Sequence, residues 1–224
     1  MYQLSRKVPR NAALLIMLLI LIVVAPLVPL ERSGFVIELI FDLILLAGVY
    51  SVGPSQHRWP FLLLTVVTLA VRWGELLSGV GGLDVTALAL SVAWLSYALS
   101  IIVAHLFQQH DVDVDTILGA VVTYLLAAVA FSMLFQIVEL QRPGAFSGLS
   151  ATVPEDRQEL SNSLLYFSLV CITTMGYGEI VPTSNLARPL AVIEGVFGQL
   201  YLAVMIARLV GLHLASDRTP RDRE

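Results

Sequence analysis

The sequence predicts an all-α membrane protein with six transmembrane helices and one shorter, re-entrant helix. Hydrophobic residues make up 57% of the 224 residues and charged residues only 13%, whereas about a quarter of the residues in soluble domains are charged. A helix needs about 20 apolar residues to cross the hydrocarbon layer of a bilayer. Segments that reach or approach this length lie at 11–30, 35–52, 60–78, 85–107, 116–140 and 188–214.

A seventh apolar segment, 161–174, is too short to cross the membrane. At about 1.5 Å per residue it covers about 20 Å, against roughly 30 Å of hydrocarbon. This length is typical of a re-entrant helix, which enters and leaves on one side. The segment 11–30 follows a basic stretch, but it is longer than a signal-peptide core and lacks a small-x-small cleavage pattern. We therefore expect it to be an uncleaved first helix.

The distribution of basic residues predicts that both termini are cytoplasmic, because cytoplasmic segments of membrane proteins carry an excess of Lys and Arg. The predicted inner residues are Arg6, Lys7, Arg10, Arg58, Arg208, Arg218, Arg221 and Arg223. The predicted outer residues are Arg32, Arg142, Arg157 and Arg188, with Arg72 near the outer end of the third helix. The re-entrant segment then enters from outside. The short termini and compact size favour the inner or plasma membrane of a cell.

The composition argues against several classes of function. Cys171, the single cysteine, lies within an apolar run, so the chain offers no disulfide framework and no metal-ligand spacing. The sequence shows no nucleophile–base set and no phosphate-binding loop, which argues against an enzyme. The formal net charge of −4 gives no indication of nucleic-acid binding.

The stretch LVCITTMGYGEIVP, 169–182, interrupts the apolar pattern. Irregular backbone at membrane depth persists only where protein buries it or where it lines a water-filled path, because unsatisfied backbone groups are costly in lipid. Gly176 and Gly178 adopt positive φ without a steric penalty. Alternation of these glycines with Met175 and Tyr177 aims successive carbonyl oxygens the same way. A column of such carbonyls replaces the hydration shell of a cation.

This stretch and its neighbours resemble the potassium-channel family. TTMGYGE is similar to the family's filter pattern, T-V-G-Y-G followed by an acid, and LLYFSLVCITT is similar to its pore helix. EIVPTSNLARPLAVIEGVFGQLYLAVMIARLVG resembles the inner helix that follows. The resemblance covers 116–214 and implies a re-entrant pore helix, a selectivity-filter loop and a homotetrameric channel. A closed ring of carbonyls takes four copies of a chain that has one filter.

Carried over residue by residue, the resemblance assigns the ligands of a potassium ion. The ion would bind to the hydroxyl of Thr174 and to a set of backbone carbonyls. These carbonyls belong to Thr174, Met175, Gly176 and Tyr177. Gly178 ends the filter. The permeant potassium ion is the expected ligand, and no other cofactor is implied.

Four further residues support the filter by the same resemblance. They are the aromatic pair Tyr166 and Phe167, Thr173, and the acid Glu179 at the outer mouth. Met175 stands where the family usually has valine, and we expect selectivity to survive because the ligand there is the carbonyl. Glu179 stands where aspartate is commoner, so a hydrogen bond from Tyr166 to this acid does not follow from the resemblance alone.

The resemblance also assigns roles to the last helix. Gly198 matches the hinge glycine of the family's inner helix. The positions that match the cavity and gate are Gln199, Leu202, Ile206 and Val210. Aliphatic rings there could close a pore by dewetting, and plain helix packing is the alternative. Glu194 lies deep in the membrane, so it needs either protonation or a partner, for which the pore helix is one option.

The six-helix layout resembles the plan of voltage-gated cation channels. It divides the chain into a four-helix sensor-like domain, 1–110, a pore domain, 111–214, and a short cytoplasmic tail, 215–224. The fourth helix of that plan carries arginines at every third position, but the matching segment here has no Lys or Arg. Each gating charge is worth about 2.3 kcal/mol per 100 mV. We therefore expect that this domain is not a voltage sensor of that type.

Three ionisable residues fall within the membrane part of this domain. Glu38 and Asp42 lie one turn apart on the second helix, and Arg72 on the third lies at a depth similar to that of Asp42. An unpaired charge there costs at least about 2.5–3.5 kcal/mol. We expect an Asp42–Arg72 pair, with Glu38 or Glu75 as a further partner. The favoured interpretation is that this pair holds the second and third helices together and has no role in gating.

The loop QQHDVDVDT, 108–116, joins the two domains. Its acids, which could together hold a divalent cation, are Asp111, Asp113 and Asp115. His110 could titrate near neutral pH. The simpler interpretation is favoured, in which Asp115 or Thr116 caps the fifth helix and the other acids are solvated. A third interpretation is contact with Arg208, which would couple the loop to the gate.

The sequence thus favours a potassium-selective channel that conducts passively. One alternative is a weakly selective monovalent cation channel, if Met175 and Glu179 loosen the filter. Another is a transporter or a non-conducting membrane scaffold that reuses the fold, although transporters usually carry broken helices in both halves. The expected partners are further copies of the chain, membrane lipids and potassium ions.

Overall fold

The structure, a computed structural model, describes residues 10–24, 27, 30–52, 58–78, 83–109, 113–149 and 157–216. The helices of the described residues are α1 Arg10–Val24, α2 Leu30–Val52, α3 Arg58–Ser78, α4 Leu83–Gln108, α5 Val114–Gln141, α6 Arg157–Ile172 and α7 Ala187–Ser216. Two short strands, β1 Phe146–Ser147 and β2 Val181–Pro182, pair antiparallel. The predicted all-helical class therefore describes the fold.

Three helices of the described residues are long and apolar enough to cross a membrane. They are Asp84–Gln108, Val114–Gln141 and Ala187–Leu212, and Asn11–Val24 forms a shorter apolar helix. These helices indicate a membrane protein. The count of six crossings stays a prediction.

The bounds of two helices differ from those predicted. The first helix ends at Val24 rather than near residue 30. Pro26 and Pro29 follow in the sequence, and proline both removes a backbone donor and disfavours helix at the residue before it. The short helix, α6, has 16 residues, or about 24 Å, and ends before Thr173. It is too short to cross a bilayer, as the sequence indicates.

The α1–α4 helices pack around a shared core and against α5. Trp94 of α4 is fully buried and donates from its indole Nε1 to Thr65 Oγ1 at 2.7 Å. Gly48 of α2 lies against the same indole, since a Cβ there would overlap the ring. The connection between α4 and α5 is short, from Gln108 to Val114, so the two helices lie side by side along much of their length.

Asp113 caps the N-terminus of α5. Its Oδ1 accepts from the backbone N–H of Thr116 at 2.8 Å and from the Thr116 hydroxyl at 2.6 Å. The hydrogen bond from the Thr116 side chain lowers the pKa of Asp113 below its ordinary value. The prediction that Asp115 or Thr116 is the cap is therefore wrong by two or three residues.

Asp115 instead links α5 to α1. Its Oδ1 accepts from the backbone N–H of Asn11 at 3.0 Å, and its carbonyl accepts from Asn11 Nδ2 at 3.1 Å. The predicted loop residues His110 and Asp111 lie outside the described residues. Within the described ranges, no group of three or more His, Cys, Asp or Glu side chains is placed to hold a metal ion.

Replacing Asp113 with alanine is expected to lower the thermal unfolding midpoint of the purified protein. Loss of an N-cap costs about 1 kcal/mol. The pKa of Asp113 is lower in the folded state than in the unfolded state. Its contribution to the free energy of unfolding is therefore fully present above the unfolded-state pKa and is lost as the pH falls through the folded-state pKa. The Asp113→Asn variant keeps a capping oxygen and serves as the control. Equal midpoints for the alanine and asparagine variants would contradict the capping role.

Candidate functional site

The segment 173–179 follows the carboxyl end of α6 and has an alternating backbone. Thr174, Gly176 and Gly178 have φ of +59°, +59° and +79°, whereas Met175 and Tyr177 do not have positive φ. Positive φ is a genuine outlier for a β-branched residue such as Thr174, so the surroundings must hold it in place. Alternation between right- and left-handed conformations gathers backbone groups of one kind on one side of the chain.

The backbone N–H groups at the start of this segment point back to α6. Thr174 N donates to the Cys171 carbonyl at 2.9 Å, and Met175 N and Gly176 N donate to the Val170 carbonyl at 3.0 and 3.4 Å. Among the described residues, no hydrogen bond ends on the carbonyl oxygens of 174–178. These oxygens are therefore free to bind a ligand such as a cation.

Two contacts fix the end of the segment at Glu179. The Tyr166 hydroxyl donates to Glu179 Oε2 at 2.9 Å, so the hydrogen bond that the sequence left open does form with glutamate at this position. Gly148, with φ +85°, lies directly against the backbone carbonyl of Glu179, where a Cβ would overlap it. The loop after α5 therefore supports the backbone at the end of the segment.

Glu139 shapes this loop, and sequence reasoning missed it. Its side chain is 4% exposed and accepts from the backbone N–H groups of Gly144 at 2.7 Å and Phe146 at 3.0 Å. The loop then pairs with the chain beyond the filter-like segment, as β1 with β2. An acid at the end of an apolar helix, shortly before a Pro-Gly turn, is the signal that could have identified it.

Phe167 supports α6 from the side away from Tyr166. Its ring makes edge contacts with Phe135 and Phe146, with ring centroids at 5.1 and 5.3 Å. The Thr173 hydroxyl donates to the Leu169 carbonyl at 2.6 Å and extends the last turn of the helix. The predicted supporting residues thus lie around the segment, and Phe167 acts through α6.

Two polar side chains join α5 to α6. The Tyr124 hydroxyl donates to the Ile172 carbonyl at 2.8 Å, and the Ser168 hydroxyl lies 2.6 Å from the Ala128 carbonyl. A helix end in an apolar region needs such partners for its last carbonyls. Sequence reasoning missed Tyr124 and Ser168, because a bond to a backbone carbonyl leaves no pattern in the sequence.

Gly198 lies where α7 touches the end of α6. A Cβ on Gly198 would overlap the carbonyl oxygen of Ile172 and press on the Ile172 side chain. The α7 helix runs without interruption through this residue, from Ala187 to Ser216. The structure therefore gives Gly198 a close-packing role, and the hinge stays a prediction.

The residues assigned to the cavity and gate lie along α7. Gln199 Nε2 donates to the Thr174 hydroxyl oxygen at 3.2 Å, which places its amide beside the start of the filter-like segment. Leu202, Ile206 and Val210 are 39, 60 and 53% exposed in the single chain. They follow at four-residue spacing, so they share one face of the helix.

Glu194 finds its partners on α6, one of the two options given by the sequence. The residue is fully buried and contacts the Ser168 hydroxyl. It also lies close to the thiol of Cys171. The buried carboxyl therefore lies at the junction of α7 with α6, the helix that leads into the filter-like segment.

The charged side chains of α2 and α3 pair differently from the prediction. Arg72 forms its ion pair with Glu38, donates to Ser91 Oγ at 3.3 Å and lies 4.2 Å from the centroid of the Phe41 ring. Asp42 instead accepts from Trp73 Nε1 at 2.9 Å. The predicted Asp42–Arg72 ion pair is therefore wrong, because helix rotation, and not depth alone, decides which acid faces the guanidinium.

Arg157, the first residue of α6, binds acids of the four-helix domain. Its guanidinium pairs with Glu75 at 2.8 Å and with Asp84 at 2.9 Å. Glu75, which the sequence offered as a partner for Arg72, is thus used to hold the amino end of α6 against α3 and α4.

Arg208 joins α7 to the end of α4. Its Nη2 lies within hydrogen-bonding distance of the carbonyls of Leu106, Phe107 and Gln109, at 3.0, 2.8 and 2.8 Å. The guanidinium also lies 5.0 Å from the centroid of the Phe107 ring. One interpretation of the sequence was a contact between Arg208 and the loop that follows α4. Arg208 makes its contact there, and at the end of α4, through backbone carbonyls.

Replacing Gly198 with alanine is expected to destabilise the fold by about 1–3 kcal/mol, because the added methyl group overpacks the contact with Ile172. Gly211→Ala is the matched control, since it lies on the same helix and a Cβ there meets no atom within 4 Å. Thermal unfolding in detergent measures both variants. A Gly198→Ala midpoint no lower than that of Gly211→Ala would argue for a role other than packing.

Double-mutant cycles are expected to assign the partner of Arg72. The Arg72→Gln and Glu38→Gln changes should be coupled by about 0.5–3 kcal/mol in unfolding free energy, because either change alone leaves one charge unpaired. The matched cycle of Arg72→Gln with Asp42→Asn should show the smaller coupling. A larger coupling energy for Arg72 with Asp42 than for Arg72 with Glu38 would instead identify Asp42 as the partner.

One comparison with known proteins places a family match in the second half of the chain. Residues 119–212, which run from α5 through α7, match an ion channel family. Protein LctB of Bacillus caldotenax is 27% identical over 101 residues, which cover 45% of this chain and 75% of LctB. No solved structure gives a significant match. The segment that contains the alternating backbone and its supports is thus similar to an ion channel family, and the comparisons support an ion channel.

Proposed function

We propose that the protein is a potassium-selective channel in which four copies of segment 174–178 surround one axis. The observation that carries this proposal is the alternation of φ along Thr174 to Gly178, with the first N–H groups bonded back to α6 and the carbonyls left without partners among the described residues. Rings of such carbonyls replace the hydration shell of potassium. The similarity of residues 119–212 to an ion channel family supports it.

The short helix contributes to cation binding through its dipole. The carboxyl end of α6 lies next to the segment, at Ile172. The carboxyl end of a helix carries partial negative charge, which favours a cation nearby. The Thr174 hydroxyl and the Gln199 amide lie together at the inner end, where a hydrated ion would enter or leave the carbonyl column.

One chain supplies one side of such a pathway, so the proposal requires a homotetramer. Apolar side chains along α7 are exposed in the single chain, as are Met175 and Tyr177 at 62 and 64%. The exposed α7 residues include Val192, Ile193, Val196 and Leu200. Contact with neighbouring copies and with lipid would cover these surfaces.

The proposed channel opens without an arginine-bearing voltage sensor. The α4 helix has no Lys or Arg along Leu83–Gln108, so the membrane potential does little work on it. The proposed location is the cell membrane, with both termini in the cytoplasm and lipids around the four-helix domain. Potassium is the permeant ion and the only ligand required.

Bilayer recordings of the purified protein are expected to show a reversal potential close to the potassium equilibrium potential under a potassium/sodium gradient. A reversal potential that also follows sodium would favour the weakly selective alternative. The absence of current would favour a non-conducting scaffold or a transporter.

Gly176→Ala, recorded in the same way, is expected to abolish selective current. Alanine at positive φ costs roughly 1–2 kcal/mol, which the filter backbone would relieve by leaving the alternating conformation. Gly144→Ala is the matched control, because Gly144 also has positive φ and a Cβ at either glycine meets no atom within 4 Å. Equal currents from the two variants would contradict the assignment of the filter.

A further inference from the structure

Glu194 is a fully buried acid without an ion-pair partner among the described residues. It lies on α7, one turn before Gly198, and faces α6 through Ser168. A carboxylate that is buried without a counter-charge costs several kcal/mol unless donors surround it. The protonation state of Glu194 therefore depends on how many neighbouring groups can donate a hydrogen bond to it.

Ser168 has a single hydroxyl hydrogen but two close oxygen neighbours. One is the Ala128 carbonyl at 2.6 Å and the other is Glu194 Oε1. A backbone carbonyl only accepts, and two oxygens at this distance repel unless a hydrogen lies between them. Ser168 therefore donates its hydroxyl hydrogen to the Ala128 carbonyl, and the Ser168 oxygen accepts a hydrogen bond from Glu194.

The second neighbour of Glu194 does not supply a hydrogen either. The thiol of Cys171 lies 3.2 Å from the Ala191 carbonyl, which can only accept, so its one hydrogen is used there. The remaining oxygen, Glu194 Oε2, has no hydrogen-bond partner. A neutral carboxylic acid fits this arrangement, because its hydroxyl donates to Ser168 and its carbonyl needs no donor.

We propose that Glu194 is a positioning residue for the filter and that it acts as a neutral carboxylic acid. The Glu194 hydroxyl donates to Ser168, and Ser168 donates to the Ala128 carbonyl. This relay joins α7 and α5 to α6, the helix whose carboxyl end leads into segment 174–178. The role in conduction depends on the proposed channel function, whereas the protonation state depends only on the contacts.

Ionisation of Glu194 would break the relay. The carboxylate has no hydrogen to give to Ser168, and its charge would lie near the carboxyl end of α6, which carries partial negative charge. Two other titratable groups face it, Tyr124 from α5 and Cys171 from α6. The β2 strand, Val181–Pro182, contributes none. Alkaline pH should therefore loosen α6 and reduce conduction.

Potassium flux into liposomes, measured from neutral to alkaline pH on both sides, tests the proposal with wild-type protein and Glu194→Gln. The amide of glutamine donates to Ser168 at every pH. The wild-type flux is expected to fall by about tenfold or more at alkaline pH, whereas the Glu194→Gln flux stays constant, because burial of an unpaired charge costs several kcal/mol. Cys171→Ala, which keeps Glu194, should retain the wild-type pH profile.

Thermal unfolding in detergent over the same pH range separates this proposal from the proposed function. If no variant conducts, but alkaline pH lowers the unfolding midpoint of the wild type and not that of Glu194→Gln, the relay stands and the channel function fails. The same pH profile for wild type and Glu194→Gln, in flux and in unfolding, would overturn the relay. So would a Glu194→Gln chain that fails to fold, because the amide supplies the same donor.

Discussion

The backbone between α6 and β2 cannot be exposed to lipid, and the rest of the site is organised around this constraint. An unsatisfied backbone group in hydrocarbon costs several kcal/mol. The first N–H groups after α6 are satisfied by the carbonyls of Val170 and Cys171. The carbonyls of 174–178 have no partner among the described residues, so water, an ion or another chain must satisfy them. A filter is one solution to this constraint.

The helices around the short helix hold it in place by polar contacts within an apolar environment. The α5 helix reaches its carboxyl end through Tyr124 and its middle through Ser168, while α7 approaches through Gly198. The loop organised by Glu139 supports the end of the segment at Glu179. Hydrogen bonds are electrostatically stronger in a low-dielectric surrounding, and each unpaired group is costly there. The strained Thr174 backbone is therefore held by a network and not by one contact.

The amino-acid pattern predicts the helices better than it predicts the partners of polar side chains. The α5 helix runs from Val114 to Gln141, close to the predicted 116–140, because a long apolar run leaves few alternatives. The choice of Asp42 as the main partner of Arg72 was wrong, and Glu38, offered as a further partner, forms the ion pair. The two acids lie one turn apart, so only the rotation of α2 distinguishes them. The cap at Asp113 was also missed, because each of several adjacent polar residues suits a helix start.

The roles predicted for residues 174–178 rest on resemblance and on the conformational freedom of glycine. The alternation of φ agrees with this origin at Gly176 and Gly178, but positive φ at Thr174 was not expected from its side chain. Glu139 could not be found in this way, because its partners are backbone N–H groups in a loop whose path depends on the whole fold.

The contact of Arg208 with α4 has a mechanical consequence. The guanidinium holds carbonyls at the end of α4, where a basic group also complements the helix dipole. A sideways displacement of this part of α7 must either break these bonds or drag α4 along with it. Because α4 lies along α5 within the same chain, movement of this end of α7 is coupled mechanically to α4 and to the helices packed against it.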